Sequence, residues 1–320
     1  MLFDVVGRNP ERAARHGLSA FVADELSREG QPLPAQLSAD ARAQLSRGLK
    51  TKSLTLAVVD ALEGVGVVPV LLKGYALALR LYPEHPLGRP STDVDVLVEP
   101  RELERCAAAL ATLGLHRHDD LSLDHPFEEH HHLAFVGTRG LVEVHFRLFT
   151  GFGGGVFDDA GLRSRARDFS LHGRPVQVLA DEDEFLYLAT HAANHAFLRL
   201  SWLLDLQRFL AARPGLDFAL MAARAHRAGF HTAVTTSLVL LTRVLGVTLP
   251  APALRHFPPR ALRAPADAVL FSKDRLASAQ LSEHWLAAFL LRLWLVDSPA
   301  HAARHLLEGA RRSLRRARVG

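Results

Sequence analysis

Two aspartates one residue apart mark the segment TDVDVLV, residues 92–98. Residues i and i+2 of a strand project to the same side, so Asp93 and Asp95 would share one face. Two carboxylates this close repel each other and are costly to bury without a partner. A divalent cation removes both penalties, and Mg²⁺ prefers hard oxygen ligands. Taken alone, the pair also fits an edge strand with solvated acids, so a metal site needs further residues.

A third carboxylate follows in the segment LVEVHFRL, where Glu143 and His145 would share one face of another strand. If that strand lies beside the aspartate strand, Glu143 completes a triad with Asp93 and Asp95. Three carboxylates on adjacent strands can hold two metal ions about 4 Å apart, the arrangement that supports in-line displacement at phosphorus. We therefore predict that Asp93, Asp95 and Glu143 are catalytic and bind two Mg²⁺ ions.

A glycine turn upstream of the aspartates, in VLLKGYALALRLY, would bind phosphate. Backbone N–H groups at the start of a helix attract anions, and Gly74 permits close approach. Lys73 would either reach a phosphate or extend along the surface to solvent. Arg89, in the loop before the aspartates, would either neutralise a leaving pyrophosphate or lie on the surface. With Tyr75, these residues form the predicted nucleotide-binding set.

Hydrophobic and turn-residue patterns predict the elements that would position these side chains. They are a strand over 65–72, a helix over 75–82, a loop over 83–91, a strand over 92–99, a helix over 101–114 and a hairpin of strands 131–136 and 140–148. A short strand at 174–180 precedes a chain that is helical almost throughout. The predicted fold class is α+β, with N-terminal helices over 1–64, a sheet domain over 65–180 and a helical C-terminal domain over 181–320.

Composition restricts the compartment and the partners. The 320 residues include one cysteine, Cys106, so no disulfide forms within the chain, which fits a reducing compartment. The first residues lack the pattern of a signal peptide, and no run of about 18 apolar residues predicts a membrane span. The net charge is +4, and the basic tail RRSLRRARVG would either contact nucleic acid or be a solvated helix end. We predict a cytoplasmic protein with no membrane or nucleic-acid partner.

The segment LLKGYALALRLYPEHPLGRPSTDVDVLV resembles the core motif of the DNA polymerase β-type nucleotidyltransferase superfamily. There a glycine turn opens a helix and a following strand carries Asp-x-Asp. More narrowly, the chain is similar to an uncharacterised nucleotidyltransferase family with Leu-Lys-Gly, an Arg before Asp-x-Asp, a later Glu-x-His strand and a helix with paired His. The matching residues are Lys73, Gly74, Arg89, Asp93, Asp95, Glu143, His145, His191, His195, Arg199, Trp202 and Asp205.

This resemblance runs from about residue 50 to residue 210 and implies a polymerase β-like nucleotidyltransferase domain. It further implies an NTP as substrate and a divalent metal as cofactor. The glycine turn departs from the superfamily, which usually has Gly-Ser or Gly-Gly where this chain has Gly74 and Tyr75. The resemblance therefore indicates fold and chemistry class rather than substrate.

Several histidines stand outside the carboxylate motif. His191 and His195 are four residues apart on a predicted helix and share a face. They would line an acceptor pocket together with His145, or they would be core or interface histidines; a zinc site would need a third ligand. The tract HPFEEHHHL, residues 125–133, reads either as a metal tract or as solvated loop histidines. The glycine-rich segment 149–159 lacks the GK[ST] ending of a phosphate loop.

The sequence thus predicts a Mg²⁺-dependent enzyme that transfers a nucleoside monophosphate from an NTP to a hydroxyl group. The acceptor would be a small molecule, a peptide or a protein, including the substrates of natural-product or peptide tailoring. The alternative is a catalytically silent module of the same fold that binds a nucleotide such as ATP or GTP. A third hypothesis is a metal hydrolase that uses the histidine tract.

Overall fold

The computed structural model of the chain describes residues 9–118, 131–149, 159–261, 263–278, 285–303 and 306–307. Within these residues helices and a mixed sheet occur together, which confirms the predicted α+β fold class. The strands are β1 (Val70–Leu71), β2 (Asp93–Leu97), β3 (His116–Arg117), β4 (His132–Gly137), β5 (Gly140–His145), β6 (Arg167–Leu171) and β7 (Arg174–Val178). The helices are α1 (Pro10–Arg15), α2 (Ser19–Arg28), α3 (Ala35–Gly64), α4 (Gly74–Leu81), α5 (Leu103–Thr112), α6 (Asp159–Ser164), α7 (Asp181–Asn194), α8 (Leu200–Ala212), α9 (Phe218–Ala228), α10 (His231–Leu245), α11 (Ala251–His256), α12 (Ala264–Leu270), α13 (Lys273–Ser278) and α14 (Trp285–Leu295).

The strands of the described residues form one seven-stranded sheet in the order β3-β4-β5-β2-β1-β7-β6. At its centre, β2 runs antiparallel to β1 and parallel to β5. The predicted hairpin is present as β4 and β5, which pair antiparallel. The strand with the two aspartates and the strand with the glutamate are therefore neighbours.

The predicted strand over 65–72 is present only as the two-residue β1. Helix α3 continues to Gly64, and Gly66 has a positive φ of 71°, so the chain is still turning at Val67. Pro69 has no N–H group to donate to a neighbouring strand. Turn geometry and a proline therefore shorten a run that hydrophobicity alone assigns to a strand.

The core of the sheet unit forms between the sheet and the helices that pack on it, chiefly α3 and α5. The buried strand residues at alternate positions of β2 and β5 are Val94, Val96, Val142 and Val144. The residues of α3 in the same cluster are Leu54, Val58, Val59 and Leu62. Each fully buried side chain of this size contributes about 1.5–3 kcal/mol. Because strand side chains alternate, this burial turns the polar positions of β2 and β5 to the other face.

The described residues 17–118, 131–148 and 159–180 form one compact unit around the sheet. Helices α2 and α3 belong to it, whereas the sequence interpretation set residues 1–64 apart as a helical segment. The physical reason is the apolar C-terminal half of α3, which packs in the core of the sheet unit.

The described residues before 17 and after 180, together with Phe149, form a second, helical unit. Helix α7 is buried along most of its length and contacts α8, α9 and α10. The predicted helical stretch after residue 180 is interrupted between α7 and α8, because Ala196 and Phe197 adopt φ values of 54° and 55°. None of the described helices is long and apolar enough to cross a membrane.

Candidate active site

The carboxylates converge where β2 and β5 run side by side. Their parallel register pairs Asp95 with Glu143 and places His145 beside Leu97. One side-chain ligand atom from each of Asp95, Glu143 and His145 lies within 4.8 Å of the other two. The structure therefore brings the glutamate to the aspartate strand, and Asp95 is the aspartate that meets it.

Lys73 joins the two aspartates at the end of β1. Its Nζ lies 3.6 Å from Asp93 Oδ2 and 3.3 Å from Asp95 Oδ1. The Asp95 side chain is fully buried, and about a fifth of the Asp93 side chain is exposed. The sequence interpretation assigned Lys73 to a phosphate or to solvent. In the structure the lysine supplies positive charge to the carboxylates.

His145 is the third member of the carboxylate cluster. Its Nε2 lies 3.1 Å from Asp95 Oδ1 and 3.4 Å from Glu143 Oε2, and the ring is buried. Burial by itself would lower the pKa of His145, but the hydrogen bonds to Asp95 and Glu143 and their charges raise it. Burial likewise opposes ionisation of Glu143, yet the hydrogen bond from His145 and the charges of His132 and Lys73 hold its pKa well below the usual value.

One oxygen of this cluster fits a metal ligand. Asp95 Oδ2 is buried and has no hydrogen-bond partner among the described residues. A buried anionic oxygen without a donor is costly, and a bound cation removes the cost. Asp95 and Glu143 offer carboxylate oxygens, which suit Mg²⁺, and Asp93 is joined to Asp95 through Lys73. These residues therefore fit the metal that the sequence predicts.

The predicted phosphate-binding turn is held against the start of β2. Gly74 has a positive φ of 66°, which favours glycine. A Cβ atom at this position would lie 3.5 Å from Ser91 Oγ and 3.7 Å from the Asp93 carbonyl oxygen. Helix α4 starts at Gly74, so its first backbone N–H groups lie at this turn. The turn and the aspartate strand β2 therefore pack directly against each other.

Arg89 is buried behind this turn instead of lying on the surface of its loop. Its Nη1 donates to the carbonyl oxygens of Gly74 at 3.4 Å and Pro90 at 3.3 Å. Through these hydrogen bonds Arg89 stabilises the backbone of the turn. A direct contact with pyrophosphate stays a prediction.

Tyr75 contacts two other elements of the sheet unit. Its hydroxyl lies 3.0 Å from His172 Nε2, and the two rings stack with centroids 5.8 Å apart. Lys52 Nζ lies 5.7 Å from the centre of the tyrosine ring. Tyr75 therefore connects the turn to α3 and to the β6–β7 hairpin, which is a contact that a serine at this position would be too short to make.

The sequence interpretation read the histidine tract as metal ligands or as solvated loop residues but did not place it beside the carboxylates. His132 pairs with His145 across the β4–β5 hairpin. The ring centres of His131 and His132 lie 5.5 and 5.0 Å from that of His145. The sequence did contain a signal for this pairing. If Gly137 and Gly140 face each other at the hairpin turn, counting back along both strands sets residue 132 opposite residue 145. Residues 125–130 of the tract, most of the glycine-rich segment and the basic tail lie outside the described residues.

His191 and His195 form an aromatic group within the helical unit. Their ring centres are 4.7 Å apart and lie 5.1 and 5.3 Å from that of Trp202. Among the described residues no further His, Cys, Asp or Glu joins them to make a group of three metal ligands. A zinc site on this helix is therefore not supported, and an acceptor pocket with His145 stays a prediction.

The chain belongs to the uncharacterised nucleotidyltransferase family, whose family model matches residues 8–246. No curated protein matches the chain. Two similar solved structures are both of the antibiotic-resistance factor ANT(2″)-Ia. The solution structure is 13% identical over 55% of this chain and 89% of that one, with a TM-score of 0.39. The crystal structure with adenylyl-2″-tobramycin is 12% identical over 55% and 95%, with a TM-score of 0.40. The family assignment depends on the family model.

Proposed function

We propose that the chain is a metal-dependent nucleotidyltransferase that transfers a nucleoside monophosphate from an NTP to a hydroxyl group of an acceptor. Membership of a nucleotidyltransferase family supports this class of reaction. The observation that carries the proposal is the convergence of Asp95 and Glu143 on the parallel strands β2 and β5, with Asp93 joined to them through Lys73.

In this proposal Asp93, Asp95 and Glu143 hold two Mg²⁺ ions. When bound, the ions neutralise charge on the phosphate oxygens and acidify the acceptor hydroxyl. The hydrogen bond from His145 and the nearby positive charges lower the pKa of Glu143, so its ionised carboxylate contributes negative charge. His145 lies against both carboxylates and fixes their orientation.

The turn at Gly74 binds the triphosphate through the first N–H groups of α4, assisted by the helix dipole. Arg89 acts on the nucleotide through the turn, because it holds the Gly74 carbonyl and so sets the direction of the neighbouring N–H groups. Lys73 exchanges one aspartate for a phosphate oxygen when the nucleotide enters, since it is already within ion-pair distance of both aspartates. The acceptor oxygen then bonds to the α-phosphorus as the bond to pyrophosphate breaks, and the hydroxyl proton passes to solvent.

The acceptor is a small molecule, a peptide or a protein. His191, His195 and Trp202 form an aromatic group in the helical unit, and their part in acceptor binding stays a prediction.

A second candidate function is a nucleotide-binding module without chemistry. The observation that favours it is the ion pairing of Lys73 with both aspartates, because an internal cation can stand in for a metal. The two functions predict different dependence of nucleotide binding on Mg²⁺.

The test combines a double variant with labelled nucleotides. The protein is incubated with each α-³²P-labelled NTP, Mg²⁺ and a cell extract, and both label transfer and pyrophosphate are measured. Asp93→Asn with Asp95→Asn should abolish transfer, whereas Asp168→Asn, an exposed acid on β6, should not. Turnover that persists in the folded double variant would end the proposal. Calorimetry with ATP and GTP distinguishes the enzyme from the nucleotide-binding module. Tight binding without Mg²⁺ and without pyrophosphate release supports the module.

A further inference from the structure

Three imidazoles form a group beside the carboxylates, and the proposed reaction uses one of them, His145, only to orient the carboxylates. They are His131 just before β4, His132 at the start of β4 and His145 at the end of β5. One nitrogen of each lies within 4.8 Å of the other two. His131 and His132 are half-buried and His145 is buried, so the group is partly shielded from solvent.

The hairpin backbone sets this group. His132 is paired with His145, and the carbonyl oxygen of His131 accepts hydrogen bonds from the N–H groups of Phe146 and Arg147 at 3.0 and 3.2 Å. The three side chains are therefore anchored on hydrogen-bonded strand ends and not on a free loop. Ligands on a paired backbone lose little conformational entropy when they bind a metal.

The environment of His145 is that of a metal-binding histidine. Its Nε2 faces the carboxylates of Asp95 and Glu143, which only accept hydrogen bonds when ionised. Its buried Nδ1 has no hydrogen-bond partner among the described residues. A ring N–H directed at a carboxylate orients the imidazole and raises its basicity, and this leaves the other nitrogen for a metal.

We propose that His131, His132 and His145 form a site for a borderline divalent transition metal such as Zn²⁺, separate from the Mg²⁺ ligands. Imidazole nitrogens suit Zn²⁺, Co²⁺ and Ni²⁺, whereas Mg²⁺ prefers oxygen. Three protein ligands leave an open position, as in catalytic zinc sites. In a tetrahedral site with bonds of about 2.0–2.1 Å the nitrogens lie about 3.4 Å apart, so small side-chain rotations close the group.

Glu143 links this site to the carboxylates. Its Oε1 lies 3.7 Å from His132 Nε2, and its Oε2 lies 3.4 Å from His145 Nε2. A metal on the imidazoles would therefore add positive charge next to the carboxylate cluster. The site does not depend on the proposed nucleotidyl transfer, because metal binding is measured without nucleotide.

The experiment uses the full chain without an affinity tag, stripped of metal and titrated with Co²⁺ and with Zn²⁺. We expect one equivalent of Co²⁺ to give visible d–d absorption with no thiolate charge-transfer band, and Zn²⁺ to displace it. His131→Ala and His132→Ala should each weaken binding by at least about tenfold, and the double variant should lose the absorption. The matched control is His116→Ala, an exposed histidine on β3, which should bind as the unaltered protein does.

Two outcomes overturn the proposal. The first is unchanged Co²⁺ binding in the His131→Ala, His132→Ala double variant when circular dichroism shows it to be folded. The second is loss of binding in a His191→Ala, His195→Ala double variant only, which would place the metal on the helical unit. Failure of the proposed function is a separate result. It is measured by pyrophosphate release in an assay that contains Mg²⁺ as the only divalent metal, whereas the histidine site is measured by Co²⁺ binding without nucleotide.

Discussion

The sheet unit and the helical unit use buried charge differently. In the helical unit Asp183 pairs with Arg224 at 2.7 Å, and Asp297 accepts from the backbone N–H groups of His231 and Thr232 at the start of α10. In the sheet unit Asp95 shares Oδ1 between Lys73 and His145 while its Oδ2 has no partner among the described residues.

This difference separates charge that stabilises a fold from charge that is available for a ligand. A paired acid at a helix start offsets its own desolvation within the protein. A buried carboxylate oxygen and a buried imidazole nitrogen without partners are stabilised only by something that binds. Among the described residues of the helical unit, the buried side-chain atoms without a hydrogen-bond partner include the hydroxyls of Thr190 and Ser201, whose cost is smaller than that of a charge, and Nε of Arg292.

The largest contrast is expected between Asp95→Asn and Asp183→Asn. Asp95→Asn removes charge without changing shape, and Lys73 and His145 keep Asp93 and Glu143 as partners. We therefore expect pyrophosphate release to fall by about 1000-fold, with a smaller loss of stability than in Asp183→Asn. Asp183→Asn leaves Arg224 without its partner, so the free energy of unfolding should fall by about 3 kcal/mol, with activity per folded molecule retained. Urea unfolding and the pyrophosphate assay measure the two effects. Equal losses of activity in both variants would contradict the distinction.

A second expected effect concerns the turn. Gly74→Ala forces a side chain into the left-handed conformation at φ 66°, which costs about 1–2 kcal/mol. It also moves the first N–H groups of α4, so we expect nucleotide affinity to fall by about tenfold.

The control for this variant is Gly64→Ala, since a Cβ at Gly64 at the end of α3 meets no atom within 4 Å. It should preserve both stability and nucleotide affinity. Fluorescent-nucleotide titration and thermal unfolding measure the two quantities. A Gly74→Ala protein that binds nucleotide normally would remove the turn from the site.

The pH dependence of stability should have opposite signs in the two units. Asp95 and Glu143 raise the pKa of His145 in the folded protein. The stability that the protonated ring contributes is therefore complete below the pKa of the unfolded chain, about 6.5, and is lost as the pH rises through the pKa of the folded protein. The pKa of His231 is lowered by burial, and His226 adds to this. Its contribution is therefore present above about 6.5 and is lost as the pH falls through the folded value.

Denaturant midpoints measured across the pH range test these signs. His145→Gln should flatten the decline of stability at alkaline pH, and His231→Gln should flatten the decline at acid pH. The pKa of Glu143 is lowered in the fold. The stability that its ionised carboxylate contributes is therefore lost as the pH falls from the ordinary pKa of 4.5 toward about 2. Identical pH profiles for the two histidine variants would refute the assignment of opposite shifts.

The smallest expected effect is that of Tyr75→Phe. The substitution removes the hydroxyl that lies 3.0 Å from His172 Nε2 and leaves the ring in place. We expect a loss of about 1 kcal/mol in the free energy of unfolding. A double-variant cycle with His172→Ala measures the coupling directly, and zero coupling would show that only the ring packing matters.

The local sequence was sufficient to predict the elements that carry the site. Strand alternation put Asp93 and Asp95 on one face and their valines in the core, and the glycine turn opened a helix. The Glu143 strand was predicted as the second half of a hairpin, which β4 and β5 form. These features depend on side-chain period and on turn chemistry, which neighbouring residues in the chain decide.

Tertiary structure decided which of these elements meet. The parallel register of β2 and β5 put Glu143 opposite Asp95, and Lys73 came to lie between the aspartates. Packing of α3 made helices α2 and α3 part of the sheet unit. The hairpin brought two histidines of a tract that reads as a loop onto His145. Strand order and register arise from contacts between residues far apart in the chain, so local patterns leave them open, because the same alternation fits several pairings.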